Sequence, residues 1–306
     1  MNTIKFSVVI PLYNKVDSVS RTLVSVCEQR FAAAEIIVID DGSTDGSAAM
    51  VAKLNIPNLT LVKQKNKGVS AARNLGVTLA QHQHIAFIDA DDQWSPFYLY
   101  EMSKLIQRFP EHQCFASNYQ KVIEDGVYQN PKLAMGDISH TGCVMDNYFE
   151  VCAKGDLPFM PSSLVINRQL FKQVGGFPVG EAMGEDQALF SQIALQGSLV
   201  YSPLVLMLYH TDSENRACDR HIPQDILPFA KRLLAKVAAG QVNELTAPFV
   251  LQYCAAHICH LAKMNIQAGQ LTAAKQLLKH PVSKLKPLHR NLFGLWLITQ
   301  SMFQRW

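Results

Sequence analysis

The sequence predicts an α/β fold, a mostly parallel sheet with helices on both faces, followed by a helical C-terminal stretch. Two observations carry this. As far as Ile88, short apolar runs of strand length alternate with segments whose apolar residues recur at helical spacing. From about Asp219 onward only the helical pattern remains. Parallel strands need a crossover between them, usually a helix, and strands covered on both faces read as unbroken apolar runs.

The elements follow in order. Phe6 to Ile10 reads as a buried strand broken by Pro11, and Val16, Val19, Leu23 and Val26 share one helix face. Glu35 to Ile39 is a second strand. Ser47 to Leu54 makes a short helix stopped by Pro57. Leu59 to Val62 is a third strand. Val69, Ala72, Leu75 and Leu79 mark another helix, and His84 to Ile88 a fourth strand. The middle is less regular. Gly126 to Met160 reads as a long excursion over the sheet edge, of the kind that serves as a lid or binding loop. Ser163 to Ile166 returns to the sheet, Gly175-Gly176-Phe177-Pro178 turns, and Asp186 to Gln196 forms a helix before the strand-like Leu204 to Tyr209. In the last part Ile226, Phe229, Leu233 and Val237 share a face, as do Leu271, Ala274 and Leu278. These readings divide the chain into a domain at 1–218, with halves at 1–120 and 121–218, and a helical extension at 219–306.

Composition narrows the function. With 306 residues, 48% of them apolar, the chain can bury a large core and is not disordered. A formal charge of +3 is too small to imply nucleic acid. The charge is unevenly spread. No acid follows Glu244, while seven Lys and Arg do, so the rest of the chain sums to −4. The seven cysteines form no CxxC pair, which argues against a zinc site or disulfide framework and for a reducing compartment. Neither a signal segment nor a membrane-spanning apolar run is evident, so a cytoplasmic location is expected.

In an open α/β sheet, ligands bind beyond the carboxyl ends of the strands. Here those ends are polar. Strand one leads into Pro11-Leu12-Tyr13-Asn14, strand two into Asp40-Asp41-Gly42-Ser43-Thr44-Asp45, and strand four into Asp89-Ala90-Asp91-Asp92. Asn66 to Gly76, containing Arg73, lies between them in the chain. Three carboxylates after a buried strand invite a divalent cation that also holds phosphate oxygens. They could equally form a solvated turn with Asp92 capping the next helix. A planar aromatic, acceptor carboxylates, an Arg and a carboxylate pair on one rim would together suit a nucleoside diphosphate.

These segments resemble those of the GT-A fold glycosyltransferases of family 2. The resemblance rests on residues 8–14, 36–47, 66–76 and 87–94, and on Gly175-Gly176-Phe177 followed by Gly184-Glu185-Asp186-Gln187. It covers about residues 4 to 215 and implies an inverting transferase using a nucleotide sugar, typically UDP-linked. By that resemblance Pro11, Tyr13, Asn14, Asp40, Asp41, Arg73, Asp89 and Ala90 would bind the nucleotide sugar. Asp91, Asp89 and His210 would lie at Mn²⁺ or Mg²⁺. Asp186, with Glu185 as runner-up, would be the general base. The family's Arg beside this His has no counterpart next to Tyr209. The implied acceptor is a glycan or lipid-linked glycan of a bacterial surface polysaccharide or lipopolysaccharide. A non-catalytic nucleotide-sugar-binding module is the alternative. Residues 284–306, cationic and then apolar with Trp and Phe, suit either a peripheral contact with anionic lipid at the inner membrane face or packing on the domain.

Overall fold

The computed structural model describes residues 3–124, 126–136, 138–197, 199–211, 213 and 222–303. The proposed boundary between residues 218 and 219 and the last three residues of the basic tail lie outside the described residues.

The first part alternates as the sequence implies: β1 (Phe6–Leu12), α1 (Val19–Cys27), β2 (Glu35–Asp40), α2 (Ser47–Lys53), β3 (Leu59–Lys63), α3 (Val69–Leu79) and β4 (His84–Phe87). Next come β5 (Gln93–Trp94), α4 (Tyr98–Arg108), β6 (Cys114–Glu124), β7 (Val127–Gln129), β8 (Cys143–Val144) and α5 (Tyr148–Lys154). A 3₁₀ turn at Pro161–Ser163 leads into β9 (Leu164–Asn167), then α6 (Arg168–Gln173), α7 (Glu185–Leu195) and β10 (Leu199–His210). The chain closes with α8 (Pro228–Ala238), α9 (Ala247–Gln267), α10 (Leu271–Lys279), a 3₁₀ turn at Pro281–Leu285 and α11 (Pro287–Phe303).

Among the described residues ten strands form one sheet in the order β3-β2-β1-β4-β9-β6-β10-β5, with β7 on β6 and β8 on β10. β3, β2, β1 and β4 are parallel. β9 runs antiparallel to both β4 and β6, and β10 is parallel to β6. The sheet is therefore mixed rather than uniformly parallel: β9 reverses between β4 and β6, and β5, β7 and β8 run antiparallel to their neighbours. After that reversal β6 and β10 run in the direction of β4, so the carboxyl ends of β1, β2, β4 and β10 share a rim with the start of β9.

Two sequence expectations change. β1 does not stop at Pro11 but continues through it to Leu12. The missing N–H costs nothing there, because β4 pairs with β1 only over Phe6 to Val9. The irregular middle also hides α5. Its Tyr148, Phe149 and Val151 are buried, and the helix packs on α9.

The core lies on both faces of the sheet. Alternate β1 residues serve each side, Val8 and Ile10 on one and Val9 on the other. On the first face they meet Val19, Leu23 and Val26 of α1 and Leu99 and Met102 of α4. On the second they join a cluster that runs through Ala72, Phe177, Phe190 and Phe229 to Ile258, Leu277, Phe293 and Leu297. The C-terminal helices thus share the hydrophobic core of the sheet. Among the described residues no helix is long and apolar enough to cross a membrane.

Candidate active site

The acidic loop after β4 is held from three directions. The Asp91 carbonyl accepts from Arg21 Nη2 at 2.9 Å and the Asp92 carbonyl from Thr22 Oγ1 at 2.7 Å, both from α1. Ser162, fully buried before β9, accepts from the Asp89 N–H at 3.0 Å, and its hydroxyl donates to Asp92 Oδ2. The Ser162 carbonyl accepts from the Trp94 indole. Asp92 is only 1% exposed, and its Oδ1 accepts from the His210 N–H at 3.3 Å. It caps no helix: α4 begins at Tyr98 with Phe97 at its N-cap. Burial first, and then the charges of Asp91 and Asp89, push its carboxyl well above the usual range. Ala90 is buried beneath the loop.

The other two carboxylates face cations. Asp91 Oδ2 accepts from Lys15 Nζ and from Ser213 Oγ, both at 2.7 Å. Both oxygens of Asp89 accept from Arg73 Nη2, at 2.7 and 2.8 Å.

Arg73 is the junction of the site. Its guanidinium is buried on α3, Nη1 donates to Asp186 Oδ1 at 2.9 Å, and Glu185 Oε1 lies 3.7 Å away. One face of the group covers the Phe177 ring at 4.8 Å. That ring is positioned by the neighbouring Asn74, which donates to the Phe177 carbonyl at 2.8 Å and accepts from its N–H at 3.0 Å. Three carboxylates hold the guanidinium strongly protonated against its burial. The geometry sets Arg73 between the first Asp of the acidic loop and the start of α7.

Glu185 and Asp186 open α7 behind Gly184, which has φ of 82°. Burial raises the Asp186 carboxyl well above its usual range; Glu185 adds to this and Arg73 opposes it. Burial likewise raises Glu185, against the pull of Arg73.

The β1 and β2 ends form the other side. Asn14, at φ of 51°, accepts from the Thr44 N–H through Oδ1 at 2.8 Å. Asp40 accepts from the Ser43 N–H at 2.9 Å. Asp41 holds the loop before α3, accepting from Gln64 Nε2 at 2.7 Å and from the Lys67 and Gly68 N–H groups at 2.8 Å. Its geometry is that of a positioning residue. Pro11 is buried in β1, and Tyr13 is half-buried just beyond it. His210 ends β10 with its N–H on Asp92, which brings it to the same rim.

Among the described residues no three His, Cys, Asp or Glu side chains form a metal cage. The donor chemistry nevertheless fits a hard divalent cation. Such ions often use one or two carboxylates and let substrate phosphates complete the shell. The Asp92 carboxyl is raised first by burial and then by the charges of Asp91 and Asp89, so the loop gathers negative charge at one point of the rim. Sequence reasoning missed Ser162, Lys15, Arg21 and Thr22. Single hydroxyls and surface-type cations carry no signature, and their partners lie far along the chain.

Comparison with known proteins bears on the family and the fold. A family model described as glycosyl transferase family 2 matches residues 7–175. An uncharacterised glycosyltransferase, YibD of Escherichia coli, is 45% identical over 31% of this chain and 28% of its own length. The amylovoran biosynthesis glycosyltransferase AmsB of Erwinia amylovora is 34% identical over 42% of this chain and 45% of its own length. These matches cover less than half of each relative. Among solved structures, S. aureus TarS 1–349 in complex with UDP-GlcNAc aligns with a TM-score of 0.71 at 18% identity, over 97% of this chain and 88% of that one. The mannosyltransferase PcManGT of Pyrobaculum calidifontis, in complex with GDP-Man and Mn²⁺, aligns at 0.55 and 18%, over 99% and 88%. The fold is that of the GT-A glycosyltransferases, and the chain belongs to glycosyl transferase family 2.

Proposed function

We propose that the protein is an inverting glycosyltransferase that moves a sugar from a nucleotide donor to a glycan or lipid-linked glycan acceptor in surface polysaccharide or lipopolysaccharide synthesis. The observation that carries this is Arg73, which ties Asp89 of the acidic loop to Asp186 at the head of α7. A donor-side carboxylate and a candidate base therefore stand one guanidinium apart. UDP is the preferred nucleotide, in keeping with TarS and its UDP-GlcNAc.

Tyr13, Asn14 and Asp40 bind base and ribose, with Pro11, Asp41 and Ala90 shaping that wall. Asp91 would hold Mn²⁺ or Mg²⁺, with Asp89 and His210 beside it. When bound, the metal supplies charge stabilisation to the departing nucleoside diphosphate. Asp186 takes the acceptor hydroxyl proton as that oxygen bonds to the anomeric carbon. The bond to the diphosphate oxygen breaks on the opposite face, so configuration inverts. The enzyme works in the cytoplasm, at the inner face of the membrane, held there by residues 284–303.

The test is nucleoside diphosphate release from a panel of nucleotide sugars with Mn²⁺. Asp91→Asn and Asp186→Asn should each lower turnover by about 10²-fold or more. Unchanged turnover in either would remove that residue from its role.

A further inference from the structure

Away from the acidic loop, a cavity of about 750 Å³ lies between the segment after α5, the N-terminal end of α7, α9 and the start of α11. That volume is typical of small-ligand sites. Met183 and Gln187 line it, and these bracket Glu185 and Asp186 in the chain. Lys286, His289 and Phe293 line it as well. Most of the lining lies outside the stretch matched by the family model, on the C-terminal helices.

Its chemistry is two-sided. Tyr253, Leu227, Met264 and Phe293 give apolar walls, while Lys154, Lys263 and Lys286 bring positive charge. Lys154 is paired outward with Glu150. The one acid in the lining, Asp156, already accepts from the Lys132 N–H at 2.9 Å. The Lys286 ammonium is lowered by burial, and the charge of Lys154 adds to this. His257 lines the wall and is 8% exposed, and its Nε2 has no hydrogen-bond partner among the described residues. A buried polar nitrogen left in this state is costly unless a ligand satisfies it.

We infer that this cavity binds the phosphate group and first apolar segment of a lipid-linked acceptor, placing the sugar to be extended at Asp186. Lys263 and Lys286 meet the phosphate, and the apolar wall takes the adjoining chain. The inference rests on the transferase reading above and names the acceptor class for it.

Isothermal calorimetry on the full chain tests it with octyl phosphate below its micellar concentration, octyl glucoside, and inorganic phosphate. Octyl phosphate should bind about tenfold more tightly than either of the others, because only it satisfies both the charge and the wall. Lys263→Glu, and separately Lys286→Glu, should weaken it about tenfold. A thermal melt on each variant reports folding, and Lys263, exposed on α9, guards against the loss of the Lys286 bond to the Ala153 carbonyl. Equal affinity for octyl glucoside and octyl phosphate would overturn the inference, as would unchanged binding in the Lys263 variant. Inorganic phosphate binding as tightly as octyl phosphate would overturn the lipid part. UDP binding in the presence of Mn²⁺ is measured in parallel. UDP binding without octyl phosphate binding defeats this inference alone, whereas octyl phosphate binding without UDP binding defeats the transferase reading.

Discussion

Asp92 is buried among like charges, and its raised carboxyl has a consequence for stability. An unfolded aspartate titrates near 3.9. Between that value and the higher folded one, the folded state holds more protons than the unfolded state, so stability falls as pH rises through that window. Thermal melts across the acid range should show this slope, and Asp92→Asn should flatten it; an equal slope in the variant would refute the assignment. Ser162→Ala leaves the Asp89 N–H and Asp92 Oδ2 without their shared partner and should cost about 1–3 kcal/mol. Arg73→Met strands the carboxylates it bridges. Denaturant unfolding should show a loss of about 3–5 kcal/mol. Asp40, Asp41 and the loop from Asp89 to Asp92 stand out in the sequence because they follow directly on apolar strands, whereas Arg73, Glu185 and Asp186 were singled out through the family resemblance. Ser162 was not, because its role depends on a partner seventy residues earlier in the chain, at Asp92.

At the level of elements, the first four strands and their helices were readable because alternation of period and type leaves little else to build. β6 and α4 were not identified, and α5 was hidden in a stretch of turn formers. Their character comes from position: β6 is covered on both sides by β9 and β10, and α5 is wrapped by α9. Close packing makes a sharp element-scale prediction. A Cβ at Gly76 of α3 would lie 2.3 Å from Val9 Cγ1 of β1. Gly76→Ala should therefore destabilise by about 1–3 kcal/mol through overpacking, despite the better helix propensity of alanine. The urea midpoint checks it, and a stabilised variant would show that α3 can shift freely. Gly184 plays a related part, since a Cβ there would meet Phe229 Cδ1 at 2.9 Å. The head of α7 is thus set by α8.

Over the whole molecule, the sequence left the basic tail open between membrane contact and packing on the domain, and α11 has the surfaces for both. Phe293 and Leu297 are buried in the common core. Leu288, Leu292, Leu295 and Ile298, at helical spacing on the other side, are 83%, 62%, 65% and 56% exposed. Vesicle flotation should carry the protein with anionic but not zwitterionic lipid. Leu288→Glu with Leu295→Glu should abolish flotation while changing stability by under about 0.5 kcal/mol per site. Flotation that persists in this variant would assign the face another role. Finally, β9 starts at the rim where β1, β2, β4 and β10 end. Whatever the chain does between β6 and β9, in however many residues, it must finish at Ser162 against the acidic loop. Lineages could lengthen, shorten or reshape that excursion to suit new acceptors, and every version would still report its ending to the reaction centre.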